Sequence, residues 1–290
     1  MKKRLAISIN PTYACNLDCS FCYLKDLHDK TIMDLDLLEK QLEDISQIYE
    51  FVYIDLYGGE ITILPEDYIN RLISIIEKYT SEISLVTNLI KVPEWLYRCK
   101  YQFCASWDYI YRPKHELVLK NCEDYYNKTG IGIPLVLTSP DLYKHKEIVR
   151  ELIDKPYIKS FDIKPCMKTS ANGVERSLED YENLVKYFIE NPIKPFFTNS
   201  FLLNNKKDRY LHIFINPYNK FVDVKYDDKG NERFEEVNIN SLNDNIPIEC
   251  TTCEMFEYCQ NEHCNIYLND GYDCYGLKKL LQWRHNAINN

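Results

Sequence analysis

The sequence predicts an α/β fold with a parallel sheet, followed by a smaller C-terminal module. Short β-branched or aromatic runs alternate with longer helical patterns, and this unit occurs six times in succession. Consecutive units of this kind need parallel strands joined by right-handed crossovers. After residue 191 the alternation stops, and a hairpin pattern and a cysteine-rich segment follow. We therefore expect one domain over residues 1–191 and a second over 192–290.

Each element has its own signal. In the first predicted helix, apolar residues recur every three or four positions and give one apolar face. The predicted strands are Leu5–Asn10, Phe51–Tyr57, Ile83–Thr87, Tyr101–Trp107, Ile131–Thr138 and Ile158–Lys164. The predicted helices are Asp34–Tyr49, Glu66–Tyr79, Pro93–Arg98, Lys114–Asn127, Lys144–Ile153 and Leu178–Glu190. The strands are expected to be apolar on both faces, as a sheet covered by helices requires. This pattern fits a doubly wound sheet or an open, partial barrel. Beyond it, residues 211–226 predict a hairpin that turns at Asn216–Lys220.

Composition excludes several function classes. The formal net charge of −9 argues against general binding to nucleic acid or to an anionic membrane. No run approaches the roughly 20 apolar residues of a membrane span, and the first residues lack a signal-peptide core. We therefore expect a cytoplasmic protein. The twelve cysteines are concentrated at 15–22 and 250–274, which indicates two metal sites and not a disulfide framework. The remaining cysteines, expected to be ordinary buried thiols, are Cys99, Cys104, Cys122 and Cys166.

The first cysteine group has the spacing C-x3-C-x2-C. Cys15, Cys19 and Cys22 follow the first predicted strand, with Phe21 before the third cysteine and Tyr23 after it. Three thiolates this close can bind three irons of a cubane 4Fe–4S cluster and leave the fourth iron open for a small chelating molecule. A zinc site or a chance triplet of buried thiols is the alternative.

Glycines and polar residues follow the other predicted strands. In a parallel β/α sheet the carboxyl ends of the strands meet at one edge, where ligands bind. Gly58 and Gly59 would let backbone approach a ligand closely, and Glu60 could accept a hydrogen bond from an ammonium group. Ser106 and Asp108 would suit ribose hydroxyls. The remaining strand ends supply Thr87, Asn88, Thr138, Asp162 and Lys164.

Together, the cysteine loop and the ordered strand ends resemble the radical S-adenosylmethionine (AdoMet) enzymes over about residues 5–190. The resemblance implies a partial (β/α)6 TIM-type barrel and a 4Fe–4S cluster on Cys15, Cys19 and Cys22. It implies that AdoMet binds the open iron and is cleaved reductively to a 5′-deoxyadenosyl radical, which abstracts hydrogen from a substrate. The residues that it assigns to cofactor binding are Phe21, Tyr23, Gly58, Gly59, Glu60, Thr87, Asn88, Ser106, Asp108 and Thr138.

The C-terminal cysteines have the spacing C-x2-C-x5-C-x4-C-x9-C, which resembles the SPASM auxiliary-cluster module. The fourth spacing is one residue longer than usual, and residues 167–249 contain no cysteine for an inner auxiliary cluster. The resemblance therefore implies a reduced, twitch-like module with one auxiliary 4Fe–4S cluster. Its implied ligands are Cys250, Cys253, Cys259 and Cys274, with Cys264 as a spare or alternative fourth ligand. A structural zinc knuckle is the alternative.

Enzymes with such a module commonly crosslink, oxidise or epimerise ribosomally synthesised peptides, and the resemblance implies this function. One alternative is a radical AdoMet dehydrogenase or modifying enzyme acting on a small metabolite. Another is a non-catalytic iron–sulfur electron carrier, although a carrier has no use for the strand-end residues. The implied partners are flavodoxin or ferredoxin as reductant, a precursor peptide and, because only four residues precede the first strand, a separate peptide-recognition protein. The candidate acid–base residues, which the sequence does not rank, are Asp108, Asp162, Lys164, Tyr57 and Cys166.

Overall fold

A single nine-stranded sheet organises the chain in a computed structural model. The structure describes residues 2–27, 29–138, 140, 146–164, 166–174, 178–191, 210–227, 231–242, 252–255 and 278–289. The strands are β1 (Lys3–Ile9), β2 (Tyr49–Leu56), β3 (Ile83–Thr87), β4 (Gln102–Ser106), β5 (Ile133–Leu137), β6 (Ile158–Ile163), β7 (Leu211–Ile215), β8 (Phe221–Tyr226) and β9 (Glu232–Glu236). The helices are α1 (Leu35–Ile48), α2 (Glu66–Ile76), α3 (Glu94–Arg98), α4 (His115–Thr129), α5 (Lys146–Ile153), α6 (Leu178–Glu190) and α7 (Lys278–Asn289).

The predicted parallel sheet is confirmed. Strands β1 to β6 lie side by side in sequence order, and each pairs in parallel with the next. The sheet is not closed within the described residues, where β6 forms one edge and β9 the other. Helix α2 ends earlier than predicted, at Ile76, because the chain tightens there and the Tyr79 N–H donates to the Ile76 carbonyl, 2.9 Å away, one residue nearer than in an α-helix.

One face of the sheet forms the main hydrophobic core. Helix α1 begins after Asp34, whose side chain accepts hydrogen bonds from Asp36 N–H and Leu37 N–H. Its buried side chains, which pack in the core with Leu5, Ile7 and Ile9 of β1, are Leu35, Leu38, Leu42 and Ile45. Each such side chain contributes about 2 kcal/mol through burial. No helix among the described residues has both the length and the apolar character of a membrane span.

The opposite face of the sheet is polar, so the prediction of strands apolar on both faces is wrong. Side chains paired across neighbouring strands share a face, and Ser8 pairs with Asp55 while Val136 pairs with Asp162. Asp55, Val136 and Asp162 are half-buried, whereas their neighbours Ile54, Leu135 and Phe161 on the other face are fully buried. We call this half-buried polar surface the inner face; its other members include Cys104, Ser106 and His212.

The predicted hairpin is confirmed and extends the same sheet. Strands β7 and β8 pair antiparallel, and the Asn216 N–H donates to the Lys220 carbonyl across the turn at 3.0 Å. Strand β7 also pairs in parallel with β1 over five residue pairs, from Leu5–Leu211 to Ile9–Ile215. Strand β9, which the polar sequence did not predict, pairs with β8. The hairpin after residue 191 thus continues the first sheet, and the division into two domains at that residue stays a prediction.

Asn219 attaches the hairpin turn to helix α1. Its amide oxygen accepts from the Asp34 N–H at 3.1 Å, and its Nδ2 donates to the Asp34 carbonyl at 3.0 Å. Its own carbonyl accepts from Gln41 Nε2 at 2.8 Å. Asn219 has a φ of 56° and is buried, and Asn is among the few side chains that tolerate this left-handed conformation. The residue therefore fixes the turn through its backbone conformation and its side chain together.

Replacing Asn219 should destabilise the fold. Asn219→Ala removes both side-chain hydrogen bonds to Asp34 and strains the left-handed backbone, so we expect the free energy of unfolding to fall by about 2–3 kcal/mol. Asn219→Gly keeps the backbone conformation and should lose less. Urea unfolding followed by circular dichroism measures both variants. A free energy for Asn219→Ala within about 0.5 kcal/mol of wild type would contradict this role.

Candidate cofactor site

The three N-terminal cysteines lie in a loop that begins at the carboxyl end of β1. Cys19 is buried, and Cys15 and Cys22 are half-buried. The loop has its own small hydrophobic cluster, formed by Leu17, Cys19, Phe21, Cys166 and Val174. Asn172 closes the cluster from the segment after β6, because its Nδ2 donates to the Phe21 carbonyl at 3.1 Å. The cysteine loop is therefore held from below by β1 and from one side by residues 166–174.

Gly58 and Gly59 hold the cysteine loop through backbone contacts. The Gly59 N–H donates to the Thr12 carbonyl at 2.9 Å, and the Glu60 N–H donates to the Ala14 carbonyl at 2.8 Å. A Cβ at Gly59 would lie 2.1 Å from the Ala14 oxygen and 2.6 Å from the Tyr13 carbonyl. Gly58 has a φ of 134°, which disfavours any side chain. The close approach that these glycines allow is thus to the chain's own cysteine loop.

The Glu60 carboxylate is buried and joins the ends of β2 and β3. Oε1 accepts from Thr62 N–H at 2.9 Å, Thr62 Oγ1 at 2.7 Å and Thr87 Oγ1 at 2.6 Å. Oε2 accepts from the Asn88 N–H at 2.6 Å. Four donors from the protein therefore already contact this carboxylate, and the second lone pair of Oε2 is the acceptor position left for a ligand ammonium.

Each cysteine thiol has an N–H donor beside it. Asn88 Nδ2 lies 3.6 Å from Cys15 Sγ, and Arg112 Nη1 lies 3.6 Å from Cys19 Sγ. Burial raises the pKa of all three thiols, that of Cys19 to about 12, and Arg112 opposes the rise at each. Backbone hydrogen bonds from Leu17 and Leu24 also lower the pKa of Cys15 and Cys22, respectively. The N–H donors and Arg112 thus offset part of the cost that burial places on a negatively charged sulfur, although burial outweighs them at all three thiols.

Asp108 and Arg112 form a buried ion pair next to Cys19. Arg112 Nη2 lies 2.8 Å and Nε 3.2 Å from Asp108 Oδ2, and Asp108 Oδ1 accepts from the Thr138 N–H at 2.7 Å. The Asp108 side chain is 0% exposed and that of Arg112 11%. Burial opposes the charge of Arg112, but Asp108 and Cys19 outweigh it and raise the pKa of the guanidinium. Arg112 contacts only Oδ2 and Thr138 only Oδ1, so the position left on this buried carboxylate for the expected contact with a ribose hydroxyl is the second lone pair of Oδ1.

The thiols are not arranged around a single ion. Among the residues that the structure describes, no three His, Cys, Asp or Glu side chains converge where one metal ion could be held. A tetrahedral zinc site would need such convergence, whereas in a cubane each cysteine binds a different iron. The preference for a cluster over zinc therefore rests on the C-x3-C-x2-C spacing of Cys15, Cys19 and Cys22.

The inner face places acid–base groups together beneath this edge. Ser8 Oγ donates to Asp55 Oδ2 at 2.8 Å and lies 2.8 Å from His212 Nε2. Because the one proton of the Ser8 hydroxyl is donated to Asp55, this hydroxyl accepts from His212 in the tautomer that carries hydrogen on Nε2. Further along the face, Lys164 Nζ lies 3.7 Å from Asp162 Oδ2. Hydrogen bonding thus organises the inner face at the central strands β1, β2 and β7, and opposite charge organises it at the edge strand β6.

The other predicted site residues are dispersed around the edge. Ser106 is half-buried on the inner face. Tyr57 packs against Phe214, with 6.2 Å between ring centroids, and Tyr23 packs against Phe234 at 5.8 Å. The Cys166 thiol is buried 3.6 Å from the Met167 carbonyl oxygen.

The C-terminal cysteines are described only in part. Cys253 is half-buried and packs against the main core beside buried Met255. The positions outside the described residues are Cys250, Cys259, Cys264 and Cys274.

Sequence reasoning missed Arg112 and the Ser8–Asp55–His212 group. Arg112 follows Asp108 by four residues, the spacing of an ion pair on one helical turn, and this signal was available. Asp55 and His212 are polar residues within otherwise mostly apolar strands, and such residues indicate that one face of the sheet is not part of the apolar core. Ser8 alone gave no signal, because a single serine in a strand is common.

A family comparison agrees with this geometry. Residues 9–103, from the end of β1 into β4, match the family described as the Radical SAM superfamily. An uncharacterized protein of Synechocystis sp. is 54% identical over 39 residues, which is 13% of this chain and 10% of that protein. The matched segment of this chain is similar to a Radical SAM superfamily domain.

Two solved structures share the fold over most of the chain. SuiB of Streptococcus suis bound to S-adenosylmethionine has a TM-score of 0.65 at 12% identity, covering 97% of this chain and 78% of SuiB. The protein anSMEcpe with bound AdoMet and the Cp18Cys peptide has a TM-score of 0.66 at 14% identity, covering 98% and 95%. Another structure shows SuiB with its precursor peptide SuiA. At these identities the likeness shows the fold, an α/β arrangement with a parallel sheet.

A side chain at Gly59 should displace the cysteine loop. We expect Gly59→Ala to lower the iron retained after anaerobic reconstitution and to lower thermal stability, because its Cβ would overlap the carbonyls of Tyr13 and Ala14. Gly130→Asn is the matched control, since nothing lies within 4 Å of a Cβ there and Asn tolerates its φ of 72°. Wild-type iron content in Gly59→Ala would show that the loop does not depend on this contact.

Proposed function

We propose that the chain is a radical AdoMet enzyme that acts on a ribosomally synthesised peptide. The observation that supports the proposal most is the cysteine loop itself. Its three thiols each have an N–H donor, and the loop is fixed by backbone contacts to Gly59 and Glu60. Such donors favour thiolate ligands of an iron–sulfur cluster. When bound, cluster and AdoMet would supply a 5′-deoxyadenosyl radical for hydrogen abstraction.

The chain's own residues suit the binding of AdoMet at this edge. Cys15, Cys19 and Cys22 would hold the cluster. Glu60 Oε2 would accept from the methionine ammonium, and Ser106 on the inner face and the second lone pair of Asp108 Oδ1 are the polar positions for ribose hydroxyls. Phe21 and Thr87 support these groups through the loop cluster and the Glu60 network.

The inner face suits a polar substrate such as a peptide. It offers Asp55 and His212 on the strands that flank β1 and Asp162 and Lys164 at the edge strand β6, all outside the apolar core. A peptide inserted against this face could be hydrogen-bonded on both sides of the reacting carbon. The fold that the chain shares with SuiB and anSMEcpe, whose structures contain peptides, supports the same substrate class. The proposed partners are a low-potential reductant, flavodoxin or ferredoxin, and a separate peptide-recognition protein.

Replacing the three loop cysteines tests the proposal. We expect the Cys15→Ala, Cys19→Ala, Cys22→Ala triple variant to form no 5′-deoxyadenosine above background with dithionite and AdoMet, because no ligands would hold the cluster. Cys99→Ala, which alters a half-buried thiol outside the loop, is the control and should retain wild-type activity. Liquid chromatography with mass spectrometry measures the product. Undiminished cleavage by the triple variant would refute the proposal.

We propose in addition that the C-terminal cysteines hold one auxiliary cluster. The support is the spacing of Cys250, Cys253, Cys259 and Cys274 together with the missing cysteines between 167 and 249. Cys253 is anchored against the core next to Met255, which would fix one ligand relative to the sheet. An auxiliary cluster could accept the electron that a substrate radical loses when a crosslink or double bond forms.

The iron content distinguishes this arrangement from the alternatives. Reconstituted protein should contain about eight irons per chain, two 4Fe–4S clusters. Cys253→Ala should lower the content towards about four, and Cys264→Ala should change it little if Cys274 is the fourth ligand. Anaerobic iron and sulfide analysis measures both. About twelve irons would indicate an inner auxiliary cluster, and stoichiometric zinc would indicate the knuckle; either result contradicts the proposal.

A further inference from the structure

We propose that the Asp108–Arg112 pair sets the reduction potential of the cluster on Cys15, Cys19 and Cys22. The inference rests on the proposed function, because it presumes that these cysteines bind the cluster. It assigns to Arg112 a positioning and electrostatic role that the sequence did not indicate. It also assigns to Asp108 a role through Arg112, beside the expected contact with the cofactor's ribose.

The contacts direct one charge of the pair at the cluster. Arg112 Nη1 lies 3.6 Å from Cys19 Sγ, while Nε and Nη2 donate to Asp108 on the other side of the guanidinium. The guanidinium also lies over the Phe21 ring, 5.5 Å from its centroid. Arg112 therefore contacts two residues of the cysteine loop, the proposed cluster ligand Cys19 and Phe21, which precedes the next proposed ligand.

The pair is fixed and shielded from water. The Arg112 N–H donates to the Asp108 carbonyl at 3.0 Å, so a tight turn, in which Ile110 has a φ of 57°, holds the two side chains in register. Asp108 is also fixed from β5 by the Thr138 N–H. Because both side chains are almost fully buried, their charges are screened far less than those of a surface pair. A buried, rigid pair can therefore act on a nearby redox centre.

The signs of the two charges give opposite expectations. Reduction adds one negative charge to the cluster, so a nearby cation stabilises the reduced form and raises the potential, and an anion lowers it. A hydrogen bond to a ligand sulfur also raises the potential. Arg112 lies nearer the sulfur than Asp108 and supplies both effects, and Asp108 offsets part of its charge. The pair thus holds the potential between the values that either residue alone would give.

Three variants test the inference through the potential itself. Arg112→Gln should shift the potential of the cluster to a more negative value, and Asp108→Asn should shift it to a more positive value. The double variant, which keeps a neutral hydrogen-bonding pair of similar size, should return towards wild type. Potentiometric titration followed by electron paramagnetic resonance measures each, and the cluster to be followed is the one whose spectrum changes when AdoMet is added.

Two controls separate this role from a structural one. Arg98→Gln removes an exposed arginine that pairs with Glu66 and should leave the potential unchanged. Arg112→Lys keeps the positive charge, so its reduction potential should lie much closer to that of wild type than the potential of Arg112→Gln does. Equal potentials in all variants, or shifts of the same sign in both single variants, would overturn the inference. So would loss of the cluster in every Asp108 and Arg112 variant, which would make the pair a folding element. A wild-type protein without an AdoMet-sensitive signal would instead overturn the proposed function.

Discussion

The cysteine loop depends on one steric constraint, the absence of a side chain at Gly59. Beyond the last residues of β1 and β2, the two backbones stay in contact through the Gly59 and Glu60 N–H groups, which donate to the Thr12 and Ala14 carbonyls. These bonds continue the pairing of the two strands into a segment that has no regular structure. Because the contact is between backbones, it fixes the course of the loop without requiring particular side chains there. The cysteine side chains are therefore free to serve as ligands.

Two buried carboxylates next to this loop are stabilised in different ways. Glu60 accepts only from neutral donors, among them Thr87 and the Asn88 N–H, and so links the ends of β2 and β3. Asp108 is neutralised by Arg112, and so links the end of β4 to Cys19. A buried charge without a partner would cost several kcal/mol, on the order of 3–5, and each carboxylate therefore requires its own network. The two networks connect four strand ends around the cysteines.

The order of the strands and helices was predictable, whereas the polar inner face was not. Apolar spacing in α1 and the β-branched runs depend on local sequence, which periodicity detects. Predicting the inner face requires knowing which alternate residues of each strand point away from the helices. The alternation of apolar and polar residues does not show this, because apolar residues such as Val136 lie on the same face as polar ones such as Asp162. Arg112 is 4 residues from its partner Asp108, whereas His212 is 204 residues from its partner Ser8. Sequence patterns can indicate the first contact but not the second. Strand β9 was missed because its residues, ERFEE, are mostly charged.

The parallel pairing of β7 with β1 has a consequence for biosynthesis. The strand that leads into the cysteine loop is made before the other strands of its sheet, yet one of its edges gains its partner only when residues 211–215 have left the ribosome. At typical rates of translation that edge stays open for about 10–40 s, during which it can pair with other chains. If iron were delivered before β7 had emerged, the strand before the cysteine loop would still lack one of its two neighbouring strands. Loading of metal is thus best timed after residues 211–215 have emerged, when β1 can pair on both of its edges.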